Sequence, residues 1–430
     1  MLVLDYPKDK ARIAKLLRHS STADPETEAA VRAIIEQVRS EGDRAVAALT
    51  EKFDHVTLTP RQFRVPTDRL REAWNGLPKP LQEALRTAHR RIKAYHVRQL
   101  TKGFAIFDTF GNRLTQRILP LRRAGVFVPG FTADYPSTVL MDIVPARVAG
   151  VDQIALLTPP GRLETSGGQA SLGAAWLAGV DEVYAIGGTP GIAALALGTE
   201  TIPRVDIIVG PGNKYIATAK RLLYGEIAID MVAGPSEILV IADATAEPRL
   251  VAADLLSQAE HHDDAQAMAI LVGEYDVEAL VAEIESQTEA SPRRDTIRRS
   301  LKAAGAIIRV TTSNEAVELA EAKAPEHLEI VTADARKLAD RIRNVGAIFV
   351  GPHTPEAIGD YIAGPNHTLP TGGTARFFSP LSVWSFLKAS HVVEFTRKGL
   401  EALGPDVITI AEAEGLVGHA ESVRKRLKRG

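Results

Sequence analysis

The chain has 430 residues, of which 45% are hydrophobic and 24% charged, with a formal net charge of −2; this is the balance of a soluble globular protein of two or three domains. That charge leaves no basic excess to neutralise a phosphate backbone, which argues against nucleic acid as a partner. Cysteine is absent, which excludes disulfides, thiolate zinc sites, iron–sulfur clusters and cysteine nucleophiles, and any bound metal must take nitrogen and oxygen ligands.

The N-terminal MLVLDYPKDKAR lacks the apolar stretch of a signal peptide, and no run approaches about 18 uninterrupted apolar residues. The expectation is a cytoplasmic protein with no membrane partner, beginning with an arm over residues 1–24. In DPETEAAVRAIIEQVRSEGD, Asp24 suits a helix N-cap, Pro25 the first turn, and Glu26 and Glu28 the positive end of the dipole. Val31, Ile34, Ile35 and Val38 share one helical face, and Gly42 ends the helix. Helical sequence continues to about residue 100.

From residue 125 short β-rich runs alternate with helical ones: GVFVP, QIALLTPP, EVYAIGG and VDIIVG alternate with STVLMDIVPARVAG, ASLGAAWLAGV, GIAALALG and NKYIATAKRLLYG. A second set follows in EILVIAD, AMAILVG, AIIRVTT, EHLEIVT and GAIFVG. Apolar runs of this length between helices indicate parallel strands buried on both faces, hence doubly wound α/β architecture. The basic tail (Arg424, Lys425, Arg426, Lys428, Arg429) reads as a solvated helix end.

Six stretches carry chemistry. VGPGNKYIATAKR puts Gly210 and Gly212 between a strand and a helix, where backbone N–H groups can approach a phosphate, although Tyr215 stands at the third glycine of the dinucleotide fingerprint. AIGGTPG is a second turn of this type. LLSQAEHHDD offers Gln258, Glu260, His261, His262, Asp263 and Asp264: either a solvated helix end or half of a metal site. In APEHLEI, Glu326 and His327 are adjacent at a strand start and could shuttle protons; the alternative is a loop carboxylate beside a surface histidine. GDYIAGPNHTLPTGG presents Asp360, Asn366 and His367 on a long loop, and EGLVGHAESVRKRL carries Glu414 and His419. H-E-x-x-H, G-x-S-x-G and P-loop motifs are absent, which lowers zincin, serine hydrolase and P-loop readings.

Together VDIIVGPGNKYIATAKR, IDMVAGPSEILVIAD, LLSQAEH, PEHLEI, GDYIAGPNHTLPTGGTARF and EGLVGHA resemble the histidinol dehydrogenase family in order and spacing, from about residue 25 to 427. The resemblance implies a zinc- and NAD+-dependent enzyme that oxidises L-histidinol through L-histidinaldehyde to L-histidine with two NAD+, at the end of histidine biosynthesis. Zinc, one per subunit, would be held by Gln258, His261, Asp360 and His419. His327 would act as base and Glu326 would activate water. Ser236, His367 and Glu414 would contact substrate together with His327 and the four metal ligands. Glu414 and His419 would complete the site of a second copy in a homodimer. On the cofactor side Asn213 is retained, whereas FVPGF (Phe127, Phe131) replaces YVPGG, and GGTPG puts Pro190 where the family has glutamine.

The expected fold is therefore α/β: two Rossmann-like doubly wound parallel-sheet domains, one inserted in the other, with helical N-terminal and C-terminal extensions. The expected bounds are 25–124 plus 235–380 for the first domain, 125–234 for the glycine-rich cofactor domain, and 381–430 for the C-terminal extension. Two competing readings are a relative that oxidises another primary alcohol to a carboxylate, such as a sulfopropanediol, and an inactive relative serving as a scaffold.

Overall fold

Six apolar runs pair as one wholly parallel sheet, in the order Leu2–Asp5, Ala306–Val310, Gln266–Val272, Glu237–Ala242, His327–Val331 and Ala347–Val350. A second six-stranded sheet runs Arg64–Val65, Glu182–Ala185, Gln153–Thr158, Arg123–Phe127, Ile207–Val209 and Ala228–Ile229, parallel except at the first, antiparallel edge strand. This computed structural model describes residues 1–18, 24–130 and 134–428; Phe131 and Arg429 lie outside the described residues. Both sheets belong to one compact unit, Met1–Gln99 with Arg122–Phe386.

Alternation within each strand sorts its residues onto two faces. Leu328 and Ile330 join Leu239 and Ile241 in one apolar cluster, while Val331 joins Ile238, Val240, Val251 and Leu255 in another. His327 and Glu329 therefore share the face of Val331, the one covered by the helix Pro248–Ala259. Each fully buried Ile, Leu or Val in these clusters contributes about 1.5–3 kcal/mol. That helix follows the strand Glu237–Ala242 and returns beside the parallel strands, so its C-terminal residues come back to the strands' amino ends. Gln258 and His327 are thereby brought to one end of the sheet.

The helix Pro25–Glu41 forms as expected: Asp24 accepts the Glu26 N–H at 3.2 Å, Pro25 takes the first turn, and Gly42 ends the helix at φ 54. Val31, Ile35 and Val38 are buried against the second sheet's core. The arm expected over residues 1–24 contains the edge strand Leu2–Asp5, which pairs with Ala306–Val310.

A second unit comprises Leu100–Leu121 and Leu387–Gly430. Its antiparallel sheet, ordered Leu387–Glu394, Arg113–Pro120, Phe104–Phe107, was not anticipated: the first strand lies in the segment expected as a helical extension, and no element was assigned between about residues 100 and 125. The helices Arg397–Ala413 and Val417–Leu427 follow, and Gly404 lets Val423 and Leu427 approach closely. Asn112, wholly buried, accepts the Thr396 N–H at 2.9 Å and so fixes the start of the first of these helices.

Candidate active site

Glu326 and His327 are only 6% and 4% exposed, so the surface-histidine alternative fails. Ala324, in the left-handed region at φ 49, ends the preceding helix Ser313–Lys323, and Pro325 leads into the strand. Both side chains are held by one residue of the neighbouring strand. The Glu237 N–H donates to Glu326 Oε2 at 2.8 Å, and His327 Nδ1–H donates to the Glu237 carbonyl at 3.1 Å. With Nδ1 as donor, the lone pair of a neutral ring sits on Nε2. That atom has no hydrogen-bond partner among the described residues and faces Asp360 Oδ1 and Glu356 Oε1, each at 3.7 Å.

Burial pushes the Glu326 carboxyl up to about 8, and the charges of Glu237 and Asp360 add to that rise. Burial alone would lower His327, but the charges of Glu326, Asp360 and Glu356 outweigh it and raise the ring. At Asp360 burial acts upward; His327 and His367 override it and hold the carboxylate well below its usual range. Neutralising these carboxylates would bring His327 back towards the range of a base.

The helix Pro248–Ala259 stops one residue after Gln258, so His261 lies in the following turn and not on the helix itself. Its i, i+3 relation to Gln258 survives as a turn hydrogen bond, His261 N–H to Gln258 O at 3.1 Å. His261 Nδ1–H donates to Ser257 O at 2.8 Å, which leaves Nε2 as a donor atom for a metal. Gln258 is wholly buried, and neither its Oε1 nor its Nε2 has a hydrogen-bond partner among the described residues. An unpaired buried amide costs about 1–3 kcal/mol, a cost that a bound cation at Oε1 would offset. His262 instead pairs with Asp264 at 2.7 Å and Asp263 with Arg299 at 2.7 Å, all exposed, as a solvated continuation.

From the long loop, the helix Glu356–Tyr361 supplies Asp360, and His367 Nδ1–H donates to the Asp360 carbonyl at 2.9 Å. Burial, opposed by Asp360, lowers His367, and the charges of His327 and His261 lower it further, which marks all four groups as neighbours. Asn366 is not free for a ligand: it donates to Met141 O at 2.6 Å and accepts the Thr368 N–H at 2.8 Å. Ligand atoms of His327, Glu356 and Asp360 all lie within 4.8 Å of one another. The residues of this unit expected to hold zinc, Gln258, His261 and Asp360, all offer nitrogen or oxygen.

Several buried acids here escaped the sequence reading. Glu356 N–H donates to Glu329 Oε1 at 2.6 Å, and Ser257 Oγ donates to Glu356 Oε2 at 3.2 Å. Burial raises Glu356 to about 8, and burial together with Asp254 raises Glu329 to about 9. Glu237, 1% exposed, pairs with the buried Lys323 at 2.5 Å. The available signal was a charge inside an apolar parallel strand, EILVIAD or HLEIV, where both faces are buried.

A family model described as histidinol dehydrogenase matches residues 17–427. A histidinol dehydrogenase of Parasynechococcus marenigrum is 45% identical over 429 residues, 99% of this chain and 97% of the relative. The chain belongs to the histidinol dehydrogenase family. One from Thermosynechococcus vestitus is 46% identical over 94% of this chain and 93% of its own length. The crystal structure of histidinol dehydrogenase from Elizabethkingia anophelis superposes with a TM-score of 0.90 at 35% identity, covering 100% of this chain and 98% of that one. As a member of this family the protein is an oxidoreductase.

The remaining residues implied by membership in the histidinol dehydrogenase family fall as follows. Ser236 immediately precedes Glu237 at the amino end of its strand. Glu414 and His419 belong to the second unit, where both are exposed, Glu414 capping the helix Arg397–Ala413 and His419 within Val417–Leu427. Asn213 caps the helix Lys214–Leu223, its oxygen accepting the Tyr215 N–H at 3.0 Å, which leaves the NH2 for a ligand. Phe127, expected on the cofactor side, is wholly buried in the second sheet's core.

The glycine-rich turns also differ from expectation. The Gly210 N–H is taken by Asp230 at 2.8 Å and Pro211 has none, so this turn does not present a row of free donors. Gly210 adopts φ +113, and a Cβ there would lie 2.1 Å from the Phe127 carbonyl, so glycine is required by packing. Pro190 is the third residue of the helix Gly188–Leu197, where an N–H has no intrahelical partner, so proline costs the helix no hydrogen bond.

Proposed function

We propose that this enzyme oxidises L-histidinol to L-histidine by way of L-histidinaldehyde, with two NAD+, as the terminal steps of histidine biosynthesis in the cytoplasm. The observation that carries this reading is the buried Glu326–His327 pair, held by Glu237, with His327 facing Asp360 and Glu356; the buried amide of Gln258, unpaired among the described residues, supports it. Gln258, His261 and Asp360, with His419, would hold zinc, which when bound supplies Lewis-acid polarisation and an anchor for the substrate's amino and imidazole groups. NAD+ accepts a hydride in each half-reaction.

His327 Nε2 takes the alcohol proton as the hydride leaves, its ring fixed by the Nδ1–H bond to Glu237. Glu326, as carboxylate, takes a proton from the water that hydrates the aldehyde. Ser236, His367 and Glu414 bind substrate, and Asn213 contributes to the cofactor side. Glu414 and His419 come from a second copy in a homodimer. Exposed apolar side chains on the second unit, including Phe107, Val393, Ile410 and Val417, support an interface there. No helix among the described residues is long and apolar enough to cross a membrane.

Steady-state NADH formation tests the reading. L-histidinol should yield two NADH per histidine, with dihydroxypropanesulfonate inert. Turnover of the sulfonate alone would move the protein to the other alcohol-oxidising reading, and no turnover of any alcohol by zinc-loaded protein would favour a scaffold.

A further inference from the structure

The loop Asn366–Thr368 is pinned from a distant element. Thr368 Oγ–H donates to Asp142 Oδ1 at 2.8 Å, a contact between residues 226 apart in sequence. One residue earlier on the same helix, Pro136–Ala149, the Met141 carbonyl accepts the Asn366 amide at 2.6 Å. The Asn366 oxygen in turn accepts the Thr368 N–H at 2.8 Å. His367 sits between these two anchors, and its own Nδ1–H is committed to the Asp360 carbonyl at 2.9 Å.

Asp142 is wholly buried. Its other oxygen has no hydrogen-bond partner among the described residues and would lie 3.1 Å from a Cβ on Gly210, so the carboxyl rests against the VGPGN turn. Burial and, to a lesser degree, the nearby Asp230 charge raise it to about 8, so near neutral pH it is an uncharged acid. An uncharged acceptor of this shape is matched by asparagine and not by leucine.

We propose that Asp142 is a positioning residue for substrate: through Thr368 it fixes the loop that carries His367 against the glycine-rich sheet. The inference rests on His367 being a substrate contact in the histidinol reading above. A group that binds substrate equally in ground and transition states acts on KM more than on kcat, so loosening this anchor should do the same.

The test compares Thr368→Val, Asp142→Leu and Asp142→Asn with the unaltered enzyme, all loaded with zinc. Thr368→Val and Asp142→Leu should raise KM for L-histidinol by about 10-fold, the scale of one buried hydrogen bond, with kcat within about 2-fold. Zinc content should be unchanged. Asp142→Asn should restore KM, because its amide oxygen accepts the same bond. Amide hydrogen exchange should rise over 359–373 in the first two variants and stay unchanged over 255–264.

Unchanged KM and unchanged exchange in Thr368→Val would overturn the proposal, and so would an Asp142→Asn variant as impaired as Asp142→Leu. A parallel fall in kcat and zinc content would also overturn it, since the effect would then not be confined to substrate placement. If Asp142→Leu fails to fold, Thr368→Val, which removes one hydroxyl and keeps the volume, decides alone. If the unaltered enzyme does not oxidise L-histidinol, the functional reading fails while the exchange measurement still tests the anchor.

Discussion

Glu326→Gln separates chemistry from architecture, because the wild-type carboxyl is held neutral to about 8 by burial. An amide matches that neutral form in shape and charge. Its oxygen can still accept the Glu237 N–H now bonded at 2.8 Å. Below that pKa the substitution should therefore cost no more than about 1 kcal/mol, and zinc content should be retained. Removing a positioned base, by contrast, costs about 100- to 10,000-fold, and that loss should fall on the aldehyde half-reaction, where water must be deprotonated.

The pH dependence has a definite sign. Wild-type aldehyde oxidation should climb as pH rises through about 8 and the carboxylate forms, and the variant should be flat there. A carboxyl raised on folding contributes stability that is full below its ordinary pKa and is lost as pH rises towards the folded value, at about 1.4 kcal/mol per pH unit. Between about pH 6 and about pH 8 the variant should therefore gain on the order of 2–3 kcal/mol relative to wild type. Stopped-flow NADH traces with histidinol and with histidinaldehyde, and melting curves at both pH values, read these effects. Equal loss in the two half-reactions, or a Tm gap that does not move with pH, would refute the assignment of Glu326 as a buried neutral acid serving water.

His261→Asn should lower bound zinc, measured by elemental analysis of protein dialysed against trace metal, because the Nε2 left free by the Ser257 bond is lost. Glu329→Gln should change Tm and turnover little at neutral pH, since burial and Asp254 keep that carboxyl protonated to about 9; a loss of more than about 2 kcal/mol would show the carboxylate to be the resident form. Gly210→Ala should destabilise the protein by more than about 2 kcal/mol in chemical denaturation, from a positive φ and a Cβ 2.1 Å from the Phe127 carbonyl.

The parallel strands were legible because most are short, mainly apolar runs: EILVIA and RAGVF, apart from a leading Glu237 and Arg123, are apolar, and both are buried at every position. The second unit's sheet was not, since Phe104–Phe107 is exposed throughout and Arg113–Pro120 shows no period-two burial. Such strands carry no alternation to read. In the site, adjacency made Glu326–His327 visible, and spacing related Gln258 to His261. Asp142 and Thr368 were invisible, because neither has a distinctive neighbour and only the fold brings residues 226 apart together.

The placement of the buried acids follows from the same strand logic. His327 and Glu329 occupy alternate positions on the face beneath the helix Pro248–Ala259, and that helix brings Gln258 and Ser257 back to the strands' amino ends. Ligands of open α/β sheets ordinarily gather at carboxyl ends, where helix N-termini point. This site gathers at the other end, where the Glu237 backbone holds Glu326 and His327 and side chains supply the remaining polar groups. Glu326, Glu356 and Asp360 around one imidazole meet that need, and burial, with Asp360's charge adding to it, raises the Glu326 and Glu356 carboxyls. Protonation of Glu326 and Glu356 leaves Asp360 as the anionic partner of the His327 ring, which faces it at 3.7 Å.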